Sequence, residues 1–340
     1  MNFGLSIQQE TSRFNEEILL LTRVHGSGIF IHIDVEDVAE ADEKIQFWRN
    51  RSAASIHLHI YKDIGEVGLM TLIRCMPDCV SLQIENLKSF ASYYYLLKEA
   101  GVSVGVALMV KTVFHLSESP FENIHHIMIM STQPGMSGGL MDQNTFKAIR
   151  RLRRNFSQLP LWVDGGVNSS NAGILRLLGV NMAVSGSFLA RGGTPLLNLL
   201  QLMNKKSGYE YPLKDFMWTI EELPVLCLTP HTQIMEIFEM SEQYQMGFVL
   251  LVNADRKLLG LCTGADLRKG ILACGGNLHQ GLLEQFFNPN PVSLNPDDTL
   301  ARIWQINEKA AFPLLYFPVV DSENFLCGAV TLNQIIRTDS

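Results

Sequence analysis

Up to about residue 205 the hydrophobic pattern has one recurring beat. A short β-branched or apolar run is followed by a turn and then by apolar positions at helical spacing. The runs fall at 3–7, 29–35, 55–60, 79–84, 102–109, 126–131, 159–164 and 181–185, with helix-like stretches such as 89–100, 143–154 and 170–178 between them. Alternating strand and helix predicts a parallel sheet. Eight such units in about 200 residues fit a closed (β/α)8 TIM barrel near the short end of its range. An open doubly wound sheet is the alternative, but Phe3-Gly4-Leu5-Ser6-Ile7 lacks the glycine pattern that such a fold places after its first strand.

After residue 205 the beat changes. Lys205-Lys206-Ser207-Gly208 reads as a linker, expected over 206–221. The chain beyond it contains an internal repeat. Pro224-Val225 with Thr229-Pro230 recurs as Pro291-Val292 with Asn295-Pro296, and Leu259-Gly260-Leu261-Cys262-Thr263 recurs 68 positions later as Cys327-Gly328-Ala329-Val330-Thr331. The expected organisation is a barrel over 1–205 and a two-copy module over 222–340, with copies at about 222–275 and 282–340. Tandem copies of this kind bury their core against each other.

Composition narrows the class. The 340 residues are 47% hydrophobic and 18% charged, enough for a sizeable core and against global disorder. A net charge of −7 with no long basic run argues against nucleic-acid binding. Glu10, Arg13, Glu16 and Glu17 interrupt any apolar leader, and no run approaches a membrane span. The six cysteines are scattered; only Cys75 and Cys79 are close, with no second pair for a four-thiolate zinc site. Reduced thiols in a cytoplasmic protein are the expectation.

Barrel chemistry sits at the C-terminal ends of the strands. The second strand ends His32-Ile33-Asp34, the third carries His57-Leu58-His59, and the seventh ends Val163-Asp164-Gly165-Gly166. Strand residues two apart share a face, so His32 with Asp34, and His57 with His59, both turn inward. Imidazoles and carboxylates converging there suit a divalent metal: Zn2+ first, with Fe2+, Mn2+ or Co2+ as alternatives. His25, His115, His125, His126, His231 and His279 have no such placement and read as surface or packing residues. Three glycine loops follow the sixth to eighth strands: Pro134-Gly135-Met136-Ser137-Gly138-Gly139, Gly165-Gly166 and Gly186-Ser187. Their clustering predicts a phosphate cradle of backbone N–H groups.

At this point the chain resembles ribulose-phosphate 3-epimerase from residue 3 to about 190. The match runs through Gly4-Leu5-Ser6-Ile7, His32-Ile33-Asp34, His57-Leu58, the loop from Met130-Ser131 to Gly138, Val163-Asp164-Gly165-Gly166-Val167-Asn168 and Val184-Ser185-Gly186-Ser187. The resemblance implies a metal held by His32, Asp34, His57 and Asp164, with Asp34 and Asp164 also exchanging the substrate proton on opposite faces. It implies substrate contact by Ser6 and Met130. Glu36 and His59 stand where the family usually has methionines, which would set a carboxylate and an imidazole beside the metal. The family's Gly-aromatic-Val-Pro-Asn segment after the second strand is missing, so the reaction class is better supported than the sugar.

The C-terminal repeat resembles a tandem of cystathionine-β-synthase (CBS) domains, which bind adenine nucleotides or related ligands. Thr263 and Asp266 match the signature in which a Thr contacts phosphate and an Asp the ribose; Thr331 recurs in the second copy, with Gln334 in place of the Asp. The resemblance implies a regulatory site for an adenine or sugar nucleotide and a homo-oligomer formed through the pair. The competing function is a barrel that has lost activity and acts as a sugar-phosphate or nucleotide sensor. A decarboxylase or aldol-type relative is disfavoured, because Asp34-Val35-Glu36-Asp37 has no lysine.

Overall fold

Eight strands alternate with helices through the first 205 residues: β1 (Asn2–Ser6), β2 (Ile29–Val35), β3 (Ser55–Ile60), β4 (Cys79–Gln83), β5 (Ser103–Met109), β6 (Ile127–Met130), β7 (Leu161–Asp164) and β8 (Met182–Ser185). The computed structural model describes residues 1–7, 12–25, 28–88, 90–116, 123–136, 138–203 and 210–336. All eight strands are parallel, and β1 pairs with both β2 and β8, which closes the barrel. The expected strands are present, each within two residues of its expected ends. On β2 and β3 the outward residues Ile31, Ile33, Val35, Ile56, Leu58 and Ile60 are buried beneath the helices. The inward residues are polar: His32, His57, His59, Ser81 and Gln83 are all fully buried. Most barrels fill this space with branched aliphatics, so this interior has been built for something other than packing. Opposite them the fill is apolar, with Ala107, Met128, Met130, Trp162, Met182 and Val184 in one cluster.

The chain divides into two compact units, Met1–Lys205 and Lys206–Ser340. The second holds β9 (Trp218–Thr219), β10 (Val225–Cys227), β11 (Phe248–Val252), β12 (Leu258–Thr263), β13 (Tyr316–Val320) and β14 (Leu326–Thr331) in two three-stranded sheets, β10-β11-β12 and β13-β14-β9. The linker expectation needs correction. Residues 204–209 lie outside the described part, but β9, within the supposed linker, pairs antiparallel with β14 of the second copy. Lys214 and Leu213 likewise donate backbone hydrogen bonds to the Pro296 and Asp298 carbonyls. The repeat is visible as near-symmetry. Lys257 bridges Phe325, its counterpart 68 residues on, and the flanking bonds Leu258 N to Asn324 O (3.1 Å) and Leu326 N to Arg256 O (3.0 Å) exchange equivalent partners. One face of each sheet meets in a shared core of Leu223, Phe248, Leu250, Val252, Leu261, Val320, Leu326 and Ala329. Among the described residues no helix is long and apolar enough to cross a membrane.

Candidate active site

In the β2–β3 pair His32 lies opposite His57 and Asp34 opposite His59, while Asp164 closes β7. The donor atoms of His32, Asp34, His59 and Asp164 all lie within 4.8 Å of one another. The expected ligand set names His57, whereas this cluster contains His59 in its place. Both imidazoles point inward, but His59 is level with Asp34 and His57 is one step deeper. Its Nδ1 lies 2.8 Å from His32 Nδ1 and its Nε2 2.8 Å from Ser81 Oγ, so it orients His32 from behind.

That orientation leaves His32 Nε2 buried without a hydrogen-bond partner, 3.5 Å from Asp34 Oδ1 and 3.6 Å from Asp164 Oδ2. Donors about 2.0–2.2 Å from a tetrahedral ion stand about 3.3–3.6 Å apart, so the spacing suits a shared cation. His59 adds a second argument. Gln83 Nε2 donates to Glu85 Oε2, which turns Gln83 Oε1 toward His59 Nε2 at 2.9 Å. His59 Nε2 must therefore be the donor. Its Nδ1 then faces Asp34 Oδ1 at 3.0 Å. In a neutral ring this sets lone pair against lone pair, which a proton or cation between them resolves. The residues present fit a divalent ion.

The two carboxyls are pushed apart. Burial opposes charge on Asp34, but His32 and His59 outweigh it and hold the group well below its ordinary range. Burial, aided by the charge of Asp34 and only partly offset by His32, raises Asp164. Burial also works against His32, yet Asp34 and Asp164 carry it above the ordinary histidine value. Burial and then the neighbouring His32 hold His57 well below it.

A narrow cleft joins these carboxyls to the glycine loops. Its lining includes Ser6, Asp34, Met130, Asp164, Gly165 and Gly186. Gly135, Met136, Gly138, Gly166 and Ser187 also line it; Ser137 lies outside the described residues. Gly165 and Gly166 have φ of +103° and +67°, and a Cβ there would press on Thr132 and on the Met141 backbone. Glu36 does not join the site. β2 ends at Val35, and the Glu36 carboxylate turns out to an ion pair with Lys62 Nζ at 2.5 Å. Sequence reasoning missed Ser81 and Gln83, although polar residues at alternate positions of β4 marked the same inward face.

In the second unit Thr263 caps the helix Gly264–Ala273. Thr263 N and Oγ1 both donate to Asp266 Oδ2, at 2.8 and 2.6 Å. The two residues read as a nucleotide motif thus form a capping box. Thr331 Oγ1 accepts from Gln334 N at 3.3 Å. A cleft of about 810 Å³ lined by Val225, Cys227, Tyr244, Asn253 and Arg256 lies elsewhere in this unit, and none of Thr263, Asp266 and Thr331 borders it.

Comparison with known proteins agrees with this geometry. The Ribulose-phosphate 3-epimerase of Helicobacter pylori is 24% identical over 189 residues, covering 53% of this chain and 87% of that protein. The Bacillus subtilis enzyme of that name is also 24% identical, over 48% of this chain and 80% of its own. Among solved structures, CBSX2 in complex with AMP is 19% identical with a TM-score of 0.31, covering 38% of this chain and 96% of that one. The CBS domain profile matches residues 283–340. The Ribulose-phosphate 3 epimerase family profile matches residues 7–190, more than half of the chain. The chain therefore belongs to the ribulose-phosphate 3-epimerase family, its barrel followed by a second unit in which residues 283–340 match a CBS domain.

Proposed function

We propose that the barrel is a metal-dependent epimerase of a ketose phosphate, ribulose 5-phosphate/xylulose 5-phosphate or a related sugar, and that the CBS pair is its regulatory nucleotide-binding module. The observation that carries the reading is His32 Nε2, buried without a hydrogen bond and facing both Asp34 and Asp164 at the end of a glycine-lined cleft. A divalent ion at His32, Asp34, His59 and Asp164 supplies Lewis-acid stabilisation of the oxygens that gain charge as the substrate proton leaves.

Asp34 at the end of β2 and Asp164 at the end of β7 both line the cleft, which supports their assignment as base and acid. Ionised Asp34 takes the proton from the carbon beside the ketone on one face of the substrate. Asp164 returns a proton to the opposite face, which inverts that carbon. Because the site is nearly symmetric in acid and base, the reverse reaction exchanges the two roles. His57 holds the His32 ring, and Gln83 holds that of His59. The loops around Gly165, Gly166 and Gly186 fix the phosphate and hence the orientation of the reacting carbon. With a chain charge of −7, attraction for an anionic sugar must be local.

The test is solvent deuterium exchange. Purified full-length protein reconstituted with Zn2+ or Co2+ is incubated with ribulose 5-phosphate in deuterium oxide. Incorporation at C3 with formation of xylulose 5-phosphate is expected. Metal-loaded protein that leaves C3 of this sugar and other ketose phosphates unlabelled would sink the reading in favour of a sensor.

A further inference from the structure

The opposite end of the barrel carries a second cluster. Cys79 opens β4, and His125 and His126 precede β6, so all three lie at the N-terminal strand ends, away from the cleft above. Their donor atoms lie within 4.8 Å of one another. His126 Nδ1 is 3.7 Å from Cys79 Sγ and 3.2 Å from His125 Nδ1. Around a tetrahedral ion with Zn–S of about 2.3 Å and Zn–N of about 2.0–2.1 Å, a sulfur–nitrogen edge spans about 3.6 Å and a nitrogen–nitrogen edge about 3.3 Å. Both observed separations match. We infer that Cys79, His125 and His126 form a second metal site, for a zinc-class ion, with an exchangeable fourth position.

The surroundings are built for it. Trp162 stacks on His126 at 3.5 Å between centroids, nearly parallel. Gly105 on β5 has no side chain because the His126 imidazole occupies that volume. Ser81 Oγ lies 2.6 Å from His126 Nε2 and fixes the orientation of the ring, with Nδ1 turned toward Cys79 and His125. Burial and then Lys98 hold His125 below its ordinary value; burial and then His125 do the same, more strongly, for His126. The buried Cys79 carries no charge by itself, its thiol pushed far up by desolvation. On binding, the S–H bond breaks, the proton leaves to solvent and sulfur bonds the ion as thiolate. His125 borders a cleft of about 780 Å³ together with Lys98, Gly101, Ser103 and Asn123. This gives the ion a route in and leaves the fourth position to water or a small ligand. A thiolate with two imidazoles is softer than the carboxylate-rich set at the other end, so the two sites differ in metal preference.

Cobalt is the probe, because a thiolate bound to Co2+ gives a near-ultraviolet charge-transfer band that the His/Asp set cannot give. Metal-free full-length protein titrated with Co2+ is expected to show this band and to bind two ions per chain. Cys79→Ser should lose the band and one ion. His125→Asn, at an exposed position that preserves folding, should weaken the titration of the band at least about tenfold. Asp164→Asn should leave the band intact while losing the other ion, which separates failure at one end from failure at the other. A wild-type protein without the band at saturating cobalt, or a band that survives in Cys79→Ser, would overturn the assignment.

Discussion

His59 Nδ1 stands 3.0 Å from Asp34 Oδ1, while its Nε2 is committed to Gln83 Oε1. This relationship makes His59, rather than His57, the imidazole that faces the carboxylates with His32. The two histidines therefore have distinguishable jobs.

His59→Met should reduce Zn2+ affinity by well over tenfold, because it removes a donor. His57→Gln should reduce it by on the order of 10–100-fold, the usual effect of losing the group that orients a ligand. Competition against a chelating dye measures both. If His57→Gln costs far more than His59→Met, the assignment of His59 is wrong.

That choice was not legible in the sequence. Alternation along β3 puts both imidazoles inward, and only the register with β2 says which is level with Asp34. Glu36 shares the face of His32 and Asp34 by alternation, yet the strand stops one residue before it. The barrel itself was legible because its strands are covered by helices and read as apolar runs. β9 was not: two residues offer no periodicity, and their partners Gly328 and Ala329 lie about 110 positions away. The place of His126 was hidden because the groups that explain it, Gly105, Ser81 and Trp162, come from three other strands.

The buried histidines fix how metal-free stability depends on pH. His57 and His126 are held below the ordinary value of 6.5, so the unfolded chain binds more protons than the folded one beneath that pH. Their effect is that stability falls as pH drops from 6.5 toward their lowered folded values. His32 is raised, so its contribution is fully present below 6.5 and is lost as pH rises through its folded pKa. In chelator-treated protein, urea midpoints should therefore pass through a maximum near neutrality. On the acid side each of the two depressed groups adds up to about 1.4 kcal/mol per pH unit. His126→Gln should remove one group's share of that slope. An unchanged slope would show that the ring is not held neutral by its site.

Gly105→Ala tests the packing beneath His126. A Cβ at this position falls within the imidazole, which is held between Trp162 and β5 and cannot retreat. The variant should lose about 1–3 kcal/mol, as overpacked cores do. Gly101→Ala meets no atom within 4 Å but has φ of +76°. It should cost about 1 kcal/mol through backbone strain alone. Urea denaturation of the pair separates steric from conformational cost, and equal losses would contradict the close approach at Gly105.

The CBS pair offers the sharpest test of regulation, because its signature residues already have partners. Thr263 and Asp266 cap the helix Gly264–Ala273, so Thr263→Ala should cost about 0.5–2 kcal/mol whether or not a nucleotide binds. Nucleotide binding makes a different prediction. Both Thr263 bonds fall on Asp266 Oδ2, which leaves Oδ1 to meet ribose hydroxyls. AMP at a hundredfold excess over its Kd should then stabilise the wild-type protein by about 2.7 kcal/mol. Asp266→Asn, able to keep part of the cap through its side-chain oxygen, should lose most of that gain and little of the basal stability. Titration calorimetry and thermal unfolding with AMP, ATP and a sugar nucleotide decide the matter. If none of the three raises the melting temperature, the Thr263–Asp266 pair is a helix cap and nothing more. Regulation of the barrel by coupled binding further requires that the ligand favour one of two states, so a bound nucleotide must also alter the barrel's kinetics.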